Sequence, residues 1–315
     1  MKRLFSLMLL LVFSVSTLFA DVDLHSITNI SAGTGAVADE QDIALDGSNL
    51  YLVWNNTGQV SFKSSSNDGI NWGNLTTVYG GSETVYYPVV AASQGNVYVT
   101  YWYDTAENQE IFFSRSLNNG SIFDTETQIT TAINQAQTPR IAASGDTIFV
   151  AYEDRDSDWT YQIYLIRSFD AGATWSDPVN ISSSDGNSRW CDIVYNGGNL
   201  CVTYNENTGS EYDDPDLFFA SSDDFGVTWS TPVNITNNQA YNARLNMTVL
   251  DSTVYIVTSS KIDRIQDDII LYRSHDFGQT WESGLNISQN TGDSARPWVW
   301  VAGETPGNHR IHCLD

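Results

Sequence analysis

Apolar and polar positions alternate along most of the chain in short runs, broken by segments rich in Gly, Asn and Asp. A period of two predicts strands with one buried face, and the breaks predict tight turns. The pattern then repeats at a larger scale. SSNDGINW (Ser65–Trp72), SLNNGSIF (Ser116–Phe123), SFDAGATW (Ser168–Trp175), SDDFGVTW (Ser222–Trp229) and SHDFGQTW (Ser274–Trp281) share one form, at gaps of 51, 52, 54 and 52 residues. A near-constant period over several copies predicts a repeat architecture.

The third unit shows the parts. TPRIAAS (Thr138–Ser144) reads as a strand, Gly145-Asp146 as a turn, and the β-branched TIFVAYE (Thr147–Glu153) as a second, alternating strand. After the polar loop Asp154–Tyr161 come a third strand, QIYLIRS (Gln162–Ser168), the SFDAGATW turn, and a fourth strand, PVNIS (Pro178–Ser182). Four short antiparallel strands per unit, repeated radially, predict an all-β propeller. In the SxDxGxTW turn the Asp accepts hydrogen bonds from nearby N–H groups, the Gly takes a positive φ, and the Trp packs across the hairpin. Asp170, Trp175, Asp224, Trp229, Asp276 and Trp281 are therefore expected to be structural. In the first two copies Asn67 and Asn118 replace the Asp, and Ile122-Phe123 replaces Thr-Trp in the second.

With these turns the chain resembles the Asp-box (BNR repeat) propellers of the sialidase-like superfamily. The resemblance extends over nearly all of residues 21–315 and implies one domain: a six-bladed β-propeller of four-stranded blades. The first blade is expected over about Asp39–Tyr79, and the next four start near Ser82, Asn134, Asp185 and Ala240. A sixth starts near Gly292, with strands at Arg296–Gly303 and His309–Cys313. That last blade lacks a third strand and a box, either because it has three strands or because the sequence is cut short at its C-terminus, the reading preferred. The N-terminal SITNISAG (Ser26–Gly33) matches PVNIS and is expected to close the ring as a fourth strand.

Composition then narrows the setting. Residues 1–20 have a basic start (Lys2, Arg3), an apolar run (Leu4–Val15) and a small residue, Ala20, as expected of a cleaved signal peptide of a secreted or periplasmic protein. Without Lys2 and Arg3 the balance is 12 basic residues against 38 acidic ones, a net charge of −26. So acidic a chain repels phosphate backbones and anionic lipid, which argues against nucleic acid and membrane insertion. A monomer with a glycan or glycoprotein ligand is the expectation. Cys191, Cys201 and Cys313 are read as buried free thiols, since closing the strands on Asn196–Asn199 sets Cys191 nearer Tyr204 than Cys201.

Function is expected on the face opposite the boxes, where long loops join second to third strands: Tyr103–Glu110, Glu153–Gln162, Asn205–Asp216 and Lys261–Asp268. In the aligned innermost strands Arg244 and Arg296 share one position, Arg189 sits one residue earlier and Arg140 two later. The resemblance implies that Arg189, Arg244 and Arg296 converge on a substrate carboxylate, since a guanidinium fork matches it bidentately. The family's first such Arg, in an R-I-P motif, has no counterpart: that position reads Asp39-Glu40-Gln41, and the first blade contains no Arg. Glu206 and Glu153, at matching ends of second strands, are candidate partners of a Tyr nucleophile, and Asp42 or Asp39 a candidate acid/base. Tyr103, Trp159, Tyr161 and Tyr212 are candidates for stacking on sugar rings, or pack the loops. No metal site or cofactor is expected; His309 and His312 fall on opposite faces of a strand. Ca²⁺ on Asp213-Asp214-Pro215-Asp216 or Asp267-Asp268 is the exception weighed, against a plain solvated loop. Two readings stay open: a glycan-active propeller, as an enzyme an exo-sialidase, or a non-catalytic carbohydrate- or protein-binding propeller at the cell surface.

Overall fold

The computed structural model describes residues 29–31, 38–131, 135–155, 159–207, 215–236, 241–261, 267–288, 294, 297–305 and 308–314. Sheet one is β1 (Ala38–Asp46), β2 (Asn49–Asn56), β3 (Gln59–Ser65) and β4 (Thr76–Tyr79). Sheet two is β5 (Tyr86–Ser93), β6 (Asn96–Asp104), β7 (Gln109–Ser116) and β8 (Thr127–Gln128). Sheet three is β9 (Ala136–Ser144), β10 (Thr147–Arg155), β11 (Tyr161–Ser168) and β12 (Val179–Asn180). Sheet four is β13 (Asn187–Asn196), β14 (Asn199–Asn207), β15 (Asp216–Ser222) and β16 (Val233–Asn234). Sheet five is β17 (Tyr241–Leu250), β18 (Thr253–Lys261), β19 (Asp268–Ser274) and β20 (Leu285–Asn286), and β21 (Trp298–Thr305) pairs with β22 (Asn308–Leu314). Each sheet is a meander of antiparallel neighbours, and the first strands pack in series, β1 on β5, β5 on β9, β9 on β13, β13 on β17 and β17 on β21. This all-β arrangement is consistent with a β-propeller. Ile30 and Ser31 form a turn and Asn29 no regular element, where the sequence pattern predicts a closing strand over Ser26–Gly33; the other residues of that segment lie outside the described residues. Ile30 is buried against Leu52 and Trp54, and its carbonyl accepts from Lys63 Nζ at 2.7 Å.

The second strands depart from the expected alternation. From Leu50 to Trp54, Val97 to Tyr103, Ile148 to Asp154 and Leu200 to Glu206 every residue is buried. In sheets two, three and four they run through the middle of sheets packed between the preceding and the next one, so both sets of side chains are enclosed, and in sheet one Ile30 packs on Leu52 and Trp54. Cys191 and Cys201 are buried free thiols in this core, and burial pushes the Cys201 thiol up to about 12.

The turns hold neighbouring sheets together. Asp170 Oδ1 accepts from the Thr174 amide and the Ser168 hydroxyl at 2.8 Å each, and Oδ2 from Thr174 Oγ1 at 2.7 Å. Asp224 and Asp276 repeat the set. Thr174, foremost, draws the Asp170 carboxyl down to about 2 from 3.8, so this turn keeps its full strength above the ordinary carboxylate range and weakens only as pH falls toward 2. The Gly does more than bend the chain. A Cβ on Gly172 (φ +83°) would stand 2.3 Å from Phe113 of the preceding sheet; Gly120, Gly226 and Gly278 meet Phe62, Leu165 and Phe219 in the same way. Trp175 lies edge-on to Phe113 at 5.1 Å, Trp281 to Phe219 at 5.1 Å and Phe123 to Phe62 at 4.9 Å. The degenerate second copy thus keeps its packing function with Phe in place of Trp. Arg115 and Arg167 reach forward from third strands to the carbonyls of Ala171 and Phe225 in the next turn, at 2.7 and 3.1 Å. At the outer edge an Asn-Ile-Ser/Thr segment, Gln128-Ile129-Thr130 in sheet two, closes the fourth strand of sheets two to five: the hydroxyls of Thr130, Ser182, Thr236 and Ser288 accept from the amides of Ile111, Ile163, Leu217 and Ile269 and donate to Glu110, Gln162, Asp216 and Asp268.

Each first strand of the five sheets carries a bulge at its start, and one non-Gly residue there has a positive φ: Glu40, Tyr87, Thr138, Trp190 and Arg244, between +47° and +56°. Two residues further on, a side chain faces the next sheet. Asp42 accepts from the Val90 amide at 2.9 Å, Asp192 from Met247 at 2.8 Å and Asn246 from Val299 at 2.8 Å. Arg140 occupies the same position in β9; burial raises the carboxyls of Asp42 and Asp192, Arg140 pulls both back down, and Asp192 adds to the rise at Asp42. The first strands of sheets one, three and four therefore face a common space. Asp42 keeps some accessible surface, but it is enclosed by protein, and desolvation raises its carboxyl from 3.8 to about 6.

Two expectations follow. Gly172→Ala is expected to cost about 2–4 kcal/mol, combining a positive-φ penalty with displacement of Phe113. Gly197→Ala, at φ +59° with nothing within 4 Å, is expected to cost only about 1 kcal/mol. Equal shifts of the denaturant midpoint in the two variants would remove the inter-sheet role of the glycine. Because Asp42 is raised above its unfolded value, folding favours its protonated form. That contribution is complete below about 3.8 and is lost as pH rises through about 6. Asp42→Asn, which keeps an acceptor for Val90 as Asn246 does for Val299, is expected to stabilise by on the order of 1–3 kcal/mol at pH 8 and by nothing at pH 4. A variant less stable than the parent at both pH values refutes this.

Candidate functional site

Antiparallel order puts the boxes and the first-to-second-strand turns at one end of every sheet, and the amides of Asn119, Ala171 and Phe277 bond the carbonyls of Gly95, Asp146 and Ser252 there. The connections between second and third strands, with the bulged starts of the first strands, occupy the other end. At that end sheets three and four build a cluster from three short pieces of chain: Glu153 and Arg155 at the end of β10, Trp159 and Tyr161 across the connection to β11, and Arg189 and Trp190 at the β13 bulge.

Glu153 is the anchor. It has no exposed surface, and its Oε1 accepts from the Trp190 amide at 2.7 Å while Oε2 accepts from Arg189 Nε at 2.9 Å. A buried carboxylate needs such partners, and both come from the next sheet. The Arg189 guanidinium then lies over the Tyr161 ring at 4.2 Å and 5.2 Å from the Trp190 ring centre. Arg155 lies over Trp159 at 3.7 Å and 5.9 Å from Tyr161. The five side chains alternate, Trp159–Arg155–Tyr161–Arg189–Trp190, aromatic and cation in turn, each contact a cation–π pair. Tyr161 is fixed from below: its amide donates to Asn187 Oδ1 at 3.0 Å and its hydroxyl to Gln135 Oε1 at 2.9 Å. Trp159 and Trp190 are 69% and 44% exposed, so the ends of the ladder face solvent.

The other expected site residues are dispersed. Arg140 bonds the Pro139 carbonyl at 3.1 Å, and its charge lowers the carboxyls of Asp42 and Asp192 against the larger effect of burial. Arg244 is exposed at the β17 bulge and makes no contact with Arg189 or Arg140 among the described residues. Arg296, Tyr212, Asp213 and Asp214 lie outside the described residues, as does the side chain of Asp39. The described residues therefore do not assemble the three-Arg convergence. The Glu206–Glu153 equivalence needs correction by one residue: Glu153 opposes Ile163 and Asn205 opposes Leu217, so Asn205 is the counterpart of Glu153. Its amide nitrogen bonds the Asn242 carbonyl of the next sheet at 3.0 Å, as Asn55 bonds Val85 at 2.8 Å. Glu206 points to the opposite side of its strand, buried, with Ser184 and Ser188 hydroxyls both 2.8 Å from Oε2.

Tyrosines paired with a carboxylate do occur, at Tyr101 and Tyr103, whose hydroxyls bond Glu126 at 2.7 and 3.2 Å. Both are buried, and desolvation, seconded by Glu126, drives their phenols far above the ordinary range. That is the reverse of what a nucleophile needs. No group of three or more His, Cys, Asp or Glu able to hold a metal occurs among the described residues. Nor is any helix there long and apolar enough to cross a membrane. The ladder was only partly visible in the sequence: Trp159, Tyr161 and Arg189 were candidates, whereas Arg155 and Trp190 were not, because the bulge that turns Trp190 outward leaves no residue signature.

No protein-family model matches the sequence, and no curated protein matches it. Solved structures do match in shape. A Hadza microbial sialidase, Hz136, superposes with a TM-score of 0.57 at 15% identity over 83% of this chain and 60% of its own. The NanB sialidase from Streptococcus pneumoniae gives 0.60 at 9% identity, over 87% and 65%. An ulvan lyase of polysaccharide lyase family PL25, bound to -[GlcA(1-4)Rha3S]-, gives 0.64 at 12%, over 86% and 76%. The chain thus spans less than two thirds of the length of either sialidase, and at these identities the likeness is one of fold.

Proposed function

We propose that this chain is a glycan-recognising propeller of the Asp-box kind, released by a cleaved leader at residues 1–20 and closed into six blades by the segment around Ile30. The observation that carries the reading is the solvent-facing Trp159–Trp190 ladder on the end of the sheets opposite the boxes. Flat aromatic faces suit the C–H faces of sugar rings, and guanidinium edges suit their hydroxyls. Fold likeness to sialidases and a polysaccharide lyase agrees with a carbohydrate ligand, although one fold hosts many chemistries.

Recognition is favoured over hydrolysis by what the candidate acids are already doing. Glu153 joins two sheets, Glu206 is held by two serines, and Asp42 bonds the Val90 amide. Hydrolysis of the exo-sialidase type is the second reading, resting on Arg244 exposed at its bulge and on Arg296. A glycan array with the intact protein is expected to show binding, and the double variant Trp159→Ala/Trp190→Ala to lose about tenfold or more of it, as for exposed aromatic anchors. A sialoside carrying a fluorescent leaving group is expected to release nothing. Release that disappears in Arg244→Ala would overturn the binding reading in favour of the enzyme.

A further inference from the structure

The ladder also indicates what kind of sugar it takes, an inference that rests on the glycan reading above. Arg189 looks at first like an anion receptor. Its Nε, however, is already paired with Glu153, a carboxylate with no exposed surface, and the Nη groups find no protein partner among the described residues. The pair leaves donors at the surface without a net positive charge behind them. Arg155 is the second cation, and it follows Glu153 and Asp154, both buried, and precedes Asp156 and Asp158 in the sequence. The surrounding chain carries a formal charge of −24. An anionic ligand would approach against that field. Uncharged hydroxyls would meet donors whose planes are held by the rings on either side.

The aromatic ends are costly to maintain. Trp159 has φ +68° and Trp190 φ +56°, and both are large, non-Gly and exposed. At Trp190 the strain belongs to the bulge that the first strand of each of the five sheets carries, whereas at Trp159 it is peculiar to this connection; strain of this kind, about 1–3 kcal/mol, persists where the surrounding structure enforces it. The Glu153–Trp190 amide bond and the Arg155 stack hold the two residues in place.

We infer that the Trp159–Arg155–Tyr161–Arg189–Trp190 ladder is a platform for neutral sugar rings of a glycan chain, stacked on the two tryptophans and bonded through their hydroxyls to the outer edge of Arg189, with Arg155 holding Trp159 in place. The test is calorimetric titration of the whole protein with neutral hexasaccharides (cellohexaose, mannohexaose, a galactan) and, in parallel, with hyaluronan hexasaccharide and sialyllactose. A neutral oligosaccharide is expected to bind with an affinity that changes less than about twofold between low and high salt, since no ion pair is screened. Trp159→Ala, in a surface connection, is expected to weaken it about tenfold without shifting the melting temperature, and Arg155→Ala to weaken it in the same direction. Preferential binding of an acidic glycan that salt weakens would overturn this inference and leave the glycan reading intact. Neutral binding untouched by Trp159→Ala would place the site elsewhere and overturn it too. Failure of both ligand classes would overturn the glycan reading itself.

Discussion

The contact on which the molecule depends is the one between a turn glycine and the third strand of the sheet before it. At Gly120, Gly172, Gly226 and Gly278 the missing side chain lets an aromatic ring or a leucine from the neighbour come within van der Waals reach of the backbone. The Trp or Phe that ends the turn then packs on the same neighbour where that neighbour is aromatic. Positive φ alone explains a glycine in a hairpin; it does not explain why four of them touch the same position of the previous repeat. The turn is a joint between sheets as much as a bend within one, and the hydrogen-bonded Asp, or Asn118 in the second copy, holds the joint's shape.

At the opposite end cohesion takes a different form. There the first strands bulge, and polar side chains of one sheet bond the backbone of the next: Glu153 to Trp190, Asp192 to Met247, Asn205 to Asn242. Apolar packing is non-directional, whereas these bonds fix where the strand ends point. The end of the molecule that carries the Trp159–Trp190 ladder is thus tied by directional contacts, which fix its geometry.

Much of the fold was legible in the sequence, since SxDxGxTW places the same residue types at the same spacing in each copy. The limits of that reading have physical causes. The bulge position is occupied by Glu40, Tyr87, Thr138, Trp190 and Arg244, which share a backbone angle and no chemistry, so no residue pattern announces it. The alternating pattern of Thr147–Glu153 suggests one buried face, yet Phe149, Ala151 and Glu153 are enclosed as well as Ile148, Val150 and Tyr152, Glu153 by the bonds it makes to the next sheet. Pairing Glu153 with Glu206 failed for a related reason: identity of residue type was taken as identity of position, and strand register set them one apart. Arg140, Arg189 and Arg244 fall along the first strands in the aligned order, but alignment says nothing of whom a guanidinium meets: Arg189 pairs with Glu153, whereas Arg140 bonds the Pro139 carbonyl.

The glycine joint has a direction. Each of these turns is seated on a ring or leucine that precedes its glycine in the chain by 58 to 61 residues, and Arg115 and Arg167 likewise reach toward turns that follow them. On a ribosome, where domains assemble from the N-terminal side as they emerge, the receiving surface for every new turn is already synthesised when that turn appears. Assembly by accretion, each repeat templating its successor, is therefore built into the order of the chain, and a lesion in an early repeat deprives the one after it of its seat.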